Sequence, residues 1–254
     1  MFILEAGINH FGDLKEAKKI DKFFFKSSFN SLTFMIHNEI FYTSYKKKGI
    51  NFELPHDYYK NLITKCNRKN KKIGLSVCDP ITFDKYKNLN FDFYKLLSIS
   101  INNKKLIEML ISKKKPVYVS TGFKSTNSKI KKCLKYLKKY KKVSLLHTPM
   151  TYNISELNFK RIYDLRKKFK LSVGYSNHNN NFNTLYFLST YNPSVIFCYC
   201  KPTRKNNRVY PDDQHALFID ELEKFKRNYI NYKTLHSNKK IKGRINIFSN
   251  EIKK

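Results

Sequence analysis

No C-x-x-C pair occurs among the cysteines, and their number is odd: Cys66, Cys78, Cys133, Cys198 and Cys200. A disulfide framework and a thiolate zinc site are both argued against, and free thiols in a reducing cytosol are expected. No apolar run approaches the roughly 18 residues that cross a bilayer, so no membrane helix is expected. The opening MFILEAGINH has no basic n-region and meets Glu5 early, which argues against a secretory signal and for a cytoplasmic protein. The G-x-G-x-x-G loop usual in doubly wound dinucleotide-binding sheets is missing too. No internal repeat is present. Acidic residues are scarce: 19 Asp+Glu stand against 51 Lys+Arg, a formal net charge of +32.

That charge admits two readings. Clustered Lys and Arg can neutralise nucleic-acid phosphates. Yet Lys, Asn, Ile, Phe and Tyr are all abundant together, as A/T-rich coding favours, and the lysines fall mostly on helix-like stretches such as KIKKCLKYLKKYKK (129–142), where they form solvated faces. No aromatic-interleaved recognition motif accompanies them, so nonspecific nucleic-acid binding is the least supported reading. A positive field also draws in small anions such as phosphate esters.

The chain is long enough, at 254 residues with 41% hydrophobic content, for one sizeable core. Eight short apolar runs alternate with amphipathic, Lys-rich segments: 2–8, 31–36, 72–77, 93–99, 116–121, 143–148, 171–176 and 194–200. Helix-like stretches cover 13–26, 56–69, 80–87, 103–113, 126–140, 155–169, 182–191 and 214–229, with Ser155 and Glu156 as the N-cap and first-turn acid of the sixth. Eight βα units predict a single-domain (β/α)8 TIM barrel over 1–230, followed by a basic C-terminal tail, 231–254. A doubly wound open sheet is the alternative.

A barrel of this kind builds its active site at the C-terminal ends of its strands. Those tips carry Glu5, Asn9 and His10; Thr33 and Met35; Lys95 and Ser98; Ser120 and Thr121; His147 and, in the loop beyond, Tyr152; Ser176 and His178; and Tyr199. Taken singly, each has a structural role open to it: Lys95 can snorkel, Ser120 and Ser176 can cap helices, a histidine can simply be hydrogen-bonded. Taken together, an ammonium and three hydroxyls suit an oxyanion, most simply a phosphate, and a buried Glu can serve as acid or base.

Six stretches then carry a resemblance: EAGINHFGD (5–13), FYKLLS (93–98), KPVYVSTGF (115–123), VSLLHTPMTY (143–152), VGYSNH (173–178) and PDDQHAL (211–217). In order and type they resemble the motifs of the sialic acid synthase family, over roughly residues 2–230. The resemblance implies a (β/α)8 catalytic barrel that condenses phosphoenolpyruvate with an N-acylated hexosamine, giving a nonulosonic acid and phosphate. By motif, Lys95, Ser98, Ser120 and Ser176 would hold phosphoenolpyruvate, and Glu5 would be the carboxylate near the reacting centre. Tyr152 and Asp212 would contact the sugar, with Asp213 open as an alternative to Asp212. His178 would bind a divalent metal, Mn or Mg. Family members dimerise partly through a swapped domain, which makes a homodimer possible here.

The chain also departs from the family pattern. Thr33-Phe34-Met35 stands where K-F-Q is usual, Ser100 where an acid is usual, and Met150 where Asn is common. Tyr199 stands where the second metal-binding histidine is expected, and a neutral phenol is a poor ligand for a divalent ion. The small C-terminal antifreeze-like domain, which lends an Arg to a partner's site in the family, is not expected within 231–254. A second class of function follows from these departures: a catalytically impaired barrel that binds an anionic metabolite or assists a partner enzyme.

Overall fold

The computed structural model describes residues 1–122, 125–202 and 209–235. Its eight apolar runs are eight parallel strands: β1 Phe2–Gly7, β2 Ser31–Ile36, β3 Lys72–Val77, β4 Phe93–Leu96, β5 Val117–Ser120, β6 Val143–His147, β7 Ser172–Ser176 and β8 Ile196–Lys201. They pair in sequence order, and β1 pairs with β8, so the sheet closes into a barrel. Helices α1 Leu14–Lys26, α3 His56–Arg68, α4 Pro80–Asp84, α5 Lys104–Ser112, α6 Asn127–Tyr136, α7 Lys160–Phe169 and α8 Leu188–Tyr191 follow successive strands, and α9 Ile219–Leu235 completes the ring. This is the single-domain (β/α)8 barrel that the run pattern predicts.

Strand periodicity explains how one sheet carries both a core and a site. Alternate residues face opposite sides of a strand. One set, with Leu4, Ala6, Leu32, Phe34, Leu75 and Val77 among them, packs outward against helix residues such as Ala17, Ile20 and Leu62. The other set points inward. At its lower level Ile3, Phe93, Leu146, Val195 and Phe197 fill the lumen, with Tyr118 packed against them. The rings of Phe93, Tyr118 and Phe197 meet edge to face, 5.3 to 6.5 Å between centroids. Gly74 makes room for that plug: a Cβ there would lie 2.1 Å from the Phe93 ring. Two residues further along the same strands the inward positions turn polar: Glu5 above Ile3, Ser76 above Gly74, Lys95 above Phe93, Ser120 above Tyr118, Ser176 above Gly174 and Tyr199 above Phe197. An apolar floor thus carries a polar layer at the C-terminal mouth.

Three local expectations are corrected. A helix, α2 Glu39–Lys46, lies between β2 and α3 and was not foreseen; it buries only Tyr42 and so has no apolar stripe to read, and Asn38 caps it by accepting from Phe41 N–H at 2.8 Å. Ser155 is no N-cap: 154–156 forms a separate 3-10 turn capped by Asn153, and α7 begins at Lys160 without a side-chain cap. The barrel boundary expected at 230 falls inside α9, and the rest of the basic tail, 236–254, lies outside the described residues. All five cysteines are free and buried. Among the described residues no helix is long and apolar enough to cross a membrane.

Candidate active site

Closure of the barrel brings strand tips far apart in sequence onto one point. The register sets Glu5 beside Thr33 and Tyr199, and Ser76 beside Lys95. From there the side chains knit together. Lys95 Nζ donates to Glu5 Oε2 at 2.5 Å and to Ser176 Oγ at 3.0 Å. Ser76 Oγ donates to Glu5 Oε1 at 3.1 Å, and the Thr33 hydroxyl lies 3.3 Å from that of Ser76. Lys95 and Glu5 are 1% and 0% exposed, so their charges are compensated by each other and by these hydroxyls rather than by water. The ammonium also sits over the Phe197 ring, 4.9 Å from its centroid.

Above this network opens a cavity of about 310 Å³, at the lower end of the range for ligand pockets. Lys95, Ser98, Ser120, His178 and Asp212 line it, all five anticipated from sequence. Glu5 and Ser176 lie beneath, reached through Lys95. The Ser120 hydroxyl is buried and has no hydrogen-bond partner among the described residues, so it neither caps α6 nor braces a strand. Tyr152 is 47% exposed and stands at the rim, its hydroxyl 3.4 Å from His215 Nδ1. Of the two adjacent acids, Asp212 faces the cavity while Asp213 pairs with Lys201 at 2.9 Å. A larger groove, about 710 Å³, runs between α1 and α3 on the outer surface, but none of the candidate residues lines it.

The loop that brings Asp212 is pinned from below. Asp212 N–H donates to Asn9 Oδ1 at 2.9 Å, and Asn9 Nδ2 donates to the Cys200 carbonyl at 3.0 Å. Gly7 clears the way: its φ is +53°, and a Cβ there would lie 2.3 Å from Asp212 Oδ2. Short strand β9, Leu217–Phe218, then pairs with β8 through Cys200 and Lys201. Burial pushes the Asp212 carboxyl up to about 7, and Glu5 adds to the effect while Lys95 opposes it.

Two histidines not assigned from sequence also line the cavity, His37 and His215. The second had a signal, since it stands within PDDQHAL (211–217), one of the stretches that carry the resemblance. Its ring contacts those of Tyr199 and His178, at 4.7 and 5.2 Å between centroids. Burial lowers the pKa of His215 to about 4 and that of His178 well below its usual value, with Lys95 contributing to both, so both rings are neutral near pH 7. The Tyr199 phenol is held well above its usual value by burial, then by Glu5 and Asp212, and stays neutral. Among the described residues no three His, Cys, Asp or Glu side chains converge as a ready-made metal cage. The donors present fit an ion held by imidazole, with the rest of its shell open to water and substrate.

The cation and amide usual on β2 are absent in their side chains: the Thr33 hydroxyl is spent on Ser76, and Met35 lines the cavity. Ser100 is turned away, its hydroxyl donating to the Cys78 carbonyl. Met150 joins the lining at the rim, 56% exposed.

The profile of the NeuB family matches residues 17–240. Over 247 residues the chain is 26% identical to the N,N'-diacetyllegionaminic acid synthase of Campylobacter jejuni, covering 88% of this chain and 73% of that enzyme. A shorter stretch of 93 residues is 31% identical to the pseudaminic acid synthase of the same species, covering 35% of this chain and 27% of that enzyme. Among solved structures, the N-acetylneuraminic acid synthetase of Leptospira borgpetersenii superposes with a TM-score of 0.83 at 22% identity, over 96% of this chain and 87% of that one, a likeness of fold. With the family profile running from α1 to beyond the last described helix, the chain belongs to the NeuB family.

Proposed function

We propose that the chain condenses phosphoenolpyruvate with an N-acylated hexosamine, yielding a nonulosonic acid and phosphate. The observation that carries this reading is the buried Lys95 ammonium facing a cavity beside the unpartnered Ser120 hydroxyl, a preorganised seat for an oxyanion. Membership of the NeuB family and the names of the legionaminic and pseudaminic acid synthases support the choice of substrates.

The residues divide the work as follows. Lys95 and the hydroxyls of Ser98, Ser120 and Ser176 bind and orient the enol phosphate. Its C3 forms the new bond to the aldehyde carbon of the open-chain sugar, and the aldehyde oxygen takes up a proton. The charge left at C2 faces the Glu5 carboxylate below, which stabilises it and accepts a proton from the water that adds there. The new C2 hydroxyl then gives up its proton as the C2–O bond to phosphate breaks, leaving the keto acid and free phosphate, and this proton balances the one taken up by the aldehyde oxygen. Asp212 and Tyr152 are placed on the sugar side. A divalent ion, when bound at His178, supplies Lewis-acid polarisation of the aldehyde.

The test is direct. Purified protein is incubated with phosphoenolpyruvate, Mn²⁺ and a panel of N-acyl hexosamines, and phosphate release and nine-carbon keto acids are followed. Sugar-dependent release is expected with one of them; no release with any sugar refutes catalysis. Met35 and Tyr199 in the cavity wall favour a second reading, a barrel that binds the anion without turnover. Its mark is a rise in melting temperature with phosphoenolpyruvate or phosphate and no product.

A further inference from the structure

We infer that the cation-binding histidine that β8 lacks is supplied from the following loop: His215 and His178 together hold one divalent ion. This rests on the proposed condensation for the ion's role, but the pairing stands on geometry of its own.

Three rings meet at the cavity wall: His178 at the end of β7, Tyr199 on β8 and His215 beyond it. Tyr199 lies edge-on to His215, with ring planes at 88°, and 5.3 Å from His178, so it wedges the two imidazoles rather than ligating. In both histidines Nδ1 lies near an oxygen. His178 Nδ1 is 3.4 Å from the Ser176 carbonyl, and His215 Nδ1 is 3.4 Å from the Tyr152 hydroxyl. An oxygen partner on one ring nitrogen is what orients a metal-binding imidazole and leaves the other lone pair for the ion. His215 Nε2 is accordingly buried, with no hydrogen-bond partner among the described residues.

The ring separation fits. A nitrogen about 2.1 Å from an ion puts its ring centre roughly 3.3 Å away, so two rings at right angles to tetrahedral angles about the ion lie roughly 4.6 to 5.3 Å apart. The observed separation is 5.2 Å. The Asp212 carboxyl lies next to the pair: its Oδ1 is 3.7 Å from His215 Nε2, and its Oδ2 is buried with no hydrogen-bond partner among the described residues. Two imidazole nitrogens select a first-row transition ion such as Mn²⁺ over Mg²⁺, which prefers an all-oxygen shell.

The experiment uses the full chain stripped of metal. Mn²⁺ binding is read by calorimetry, and imidazole nitrogen coupling to the bound ion by electron spin-echo spectroscopy. Wild type is expected to bind one Mn²⁺ with two imidazole nitrogens coupled, more tightly than Mg²⁺. H215A is expected to bind at least tenfold more weakly with one nitrogen coupled, H178A to weaken likewise, and Tyr199→Phe to bind within threefold of wild type. Melting curves establish that each variant is folded, and His215→Gln stands in should H215A fail. The inference is overturned if wild type binds no Mn²⁺ at millimolar concentration, or if H215A or its Gln stand-in binds as wild type does with two nitrogens coupled. Loss of the ion in Tyr199→Phe overturns it as well. A melting-temperature rise with phosphoenolpyruvate in the metal-free protein tests the anion seat separately, so failure of the ion site is distinguishable from failure of the proposed function.

Discussion

Replacing Lys95 with Met tests the centre of the barrel. The substitution keeps most of the side-chain length but removes the ammonium from Glu5, which is 0% exposed and, among the described residues, retains only the Ser76 hydroxyl as a side-chain hydrogen-bond partner. Leaving one member of a buried ion pair uncompensated costs about 3–5 kcal/mol. At roughly 2–4 °C per kcal/mol for a chain of this size, K95M should melt about 6–20 °C below wild type. The double variant E5Q/K95M removes both charges while Gln can still accept from Ser76, so it should recover at least half of the loss. Thermal and denaturant melts of the four proteins close a double-mutant cycle. The anion response separates function from stability: both K95M and E5Q/K95M should lose the melting-temperature rise with phosphoenolpyruvate, although only the first is strongly destabilised. A K95M melt within about 2 °C of wild type, or a double variant no better than the single, refutes the view that this pair is mutually compensating.

Ser120→Ala removes a buried hydroxyl that has no partner among the described residues, so stability should hold or rise by up to about 1 kcal/mol while affinity for phosphoenolpyruvate falls roughly tenfold; a thermal-shift titration reads both. Gly74→Ala forces a Cβ against the Phe93 ring and should cost about 1–3 kcal/mol in urea melts, with Phe93→Leu in the same chain restoring much of it. The Asp21 carboxyl accepts from the Tyr58 hydroxyl at 2.8 Å, and burial pushes its pKa up to about 6 against that hydrogen bond. A raised carboxyl pKa gives stability that is complete below about 4 and lost as pH rises through about 6, a loss approaching about 3 kcal/mol. Asp21→Asn should therefore melt like wild type at pH 4 and above it at pH 8; equal differences at the two pH values would refute this.

The barrel was legible because its signals are local and repeated. Each strand is a short β-rich run ended by polar residues, and the following helices carry apolar residues at helical spacing. The convergence of the lumen residues was legible for a related reason: once strands are placed, period two fixes which residues share the lumen, so Lys95, Ser120 and Ser176 follow from their places on β4, β5 and β7. What escaped depends on contacts between distant segments. Helix α2 buries one tyrosine and leaves no periodic trace. Ser155 and Asn153 both suit a helix start, and only the packing of the chain decides between them. His215 lies in a loop whose path is set by Asn9, more than two hundred residues earlier in the chain, and by the pairing of β9 with β8.

The two halves of the site are accordingly built in different ways. The proposed anion half is built mostly on strands of the closed sheet: Lys95 and Ser176 are hydrogen-bonded, Ser120 ends β5, and Ser98 follows in the turn after β4. On the proposed sugar and cation side, Asp212 and His215 hang on one loop, held through the Asn9 side chain, the Lys201–Asp213 pair and a two-residue strand, while Tyr152 follows β6 and His178 follows β7. A ligand moved from a strand to such a loop keeps its imidazole but loses some of the stiffness of the sheet. Tyr199 offsets part of that loss by packing edge-on against the relocated ring. Substitutions in the loop should therefore alter sugar and ion selectivity while leaving phosphoenolpyruvate binding intact, whereas substitutions in the lumen should weaken both. An Asn9→Ala variant, which releases the loop without touching the lumen, puts this division to the test. Its response to phosphoenolpyruvate should persist while its Mn²⁺ affinity falls, and joint loss of the two would mean that the halves are one unit.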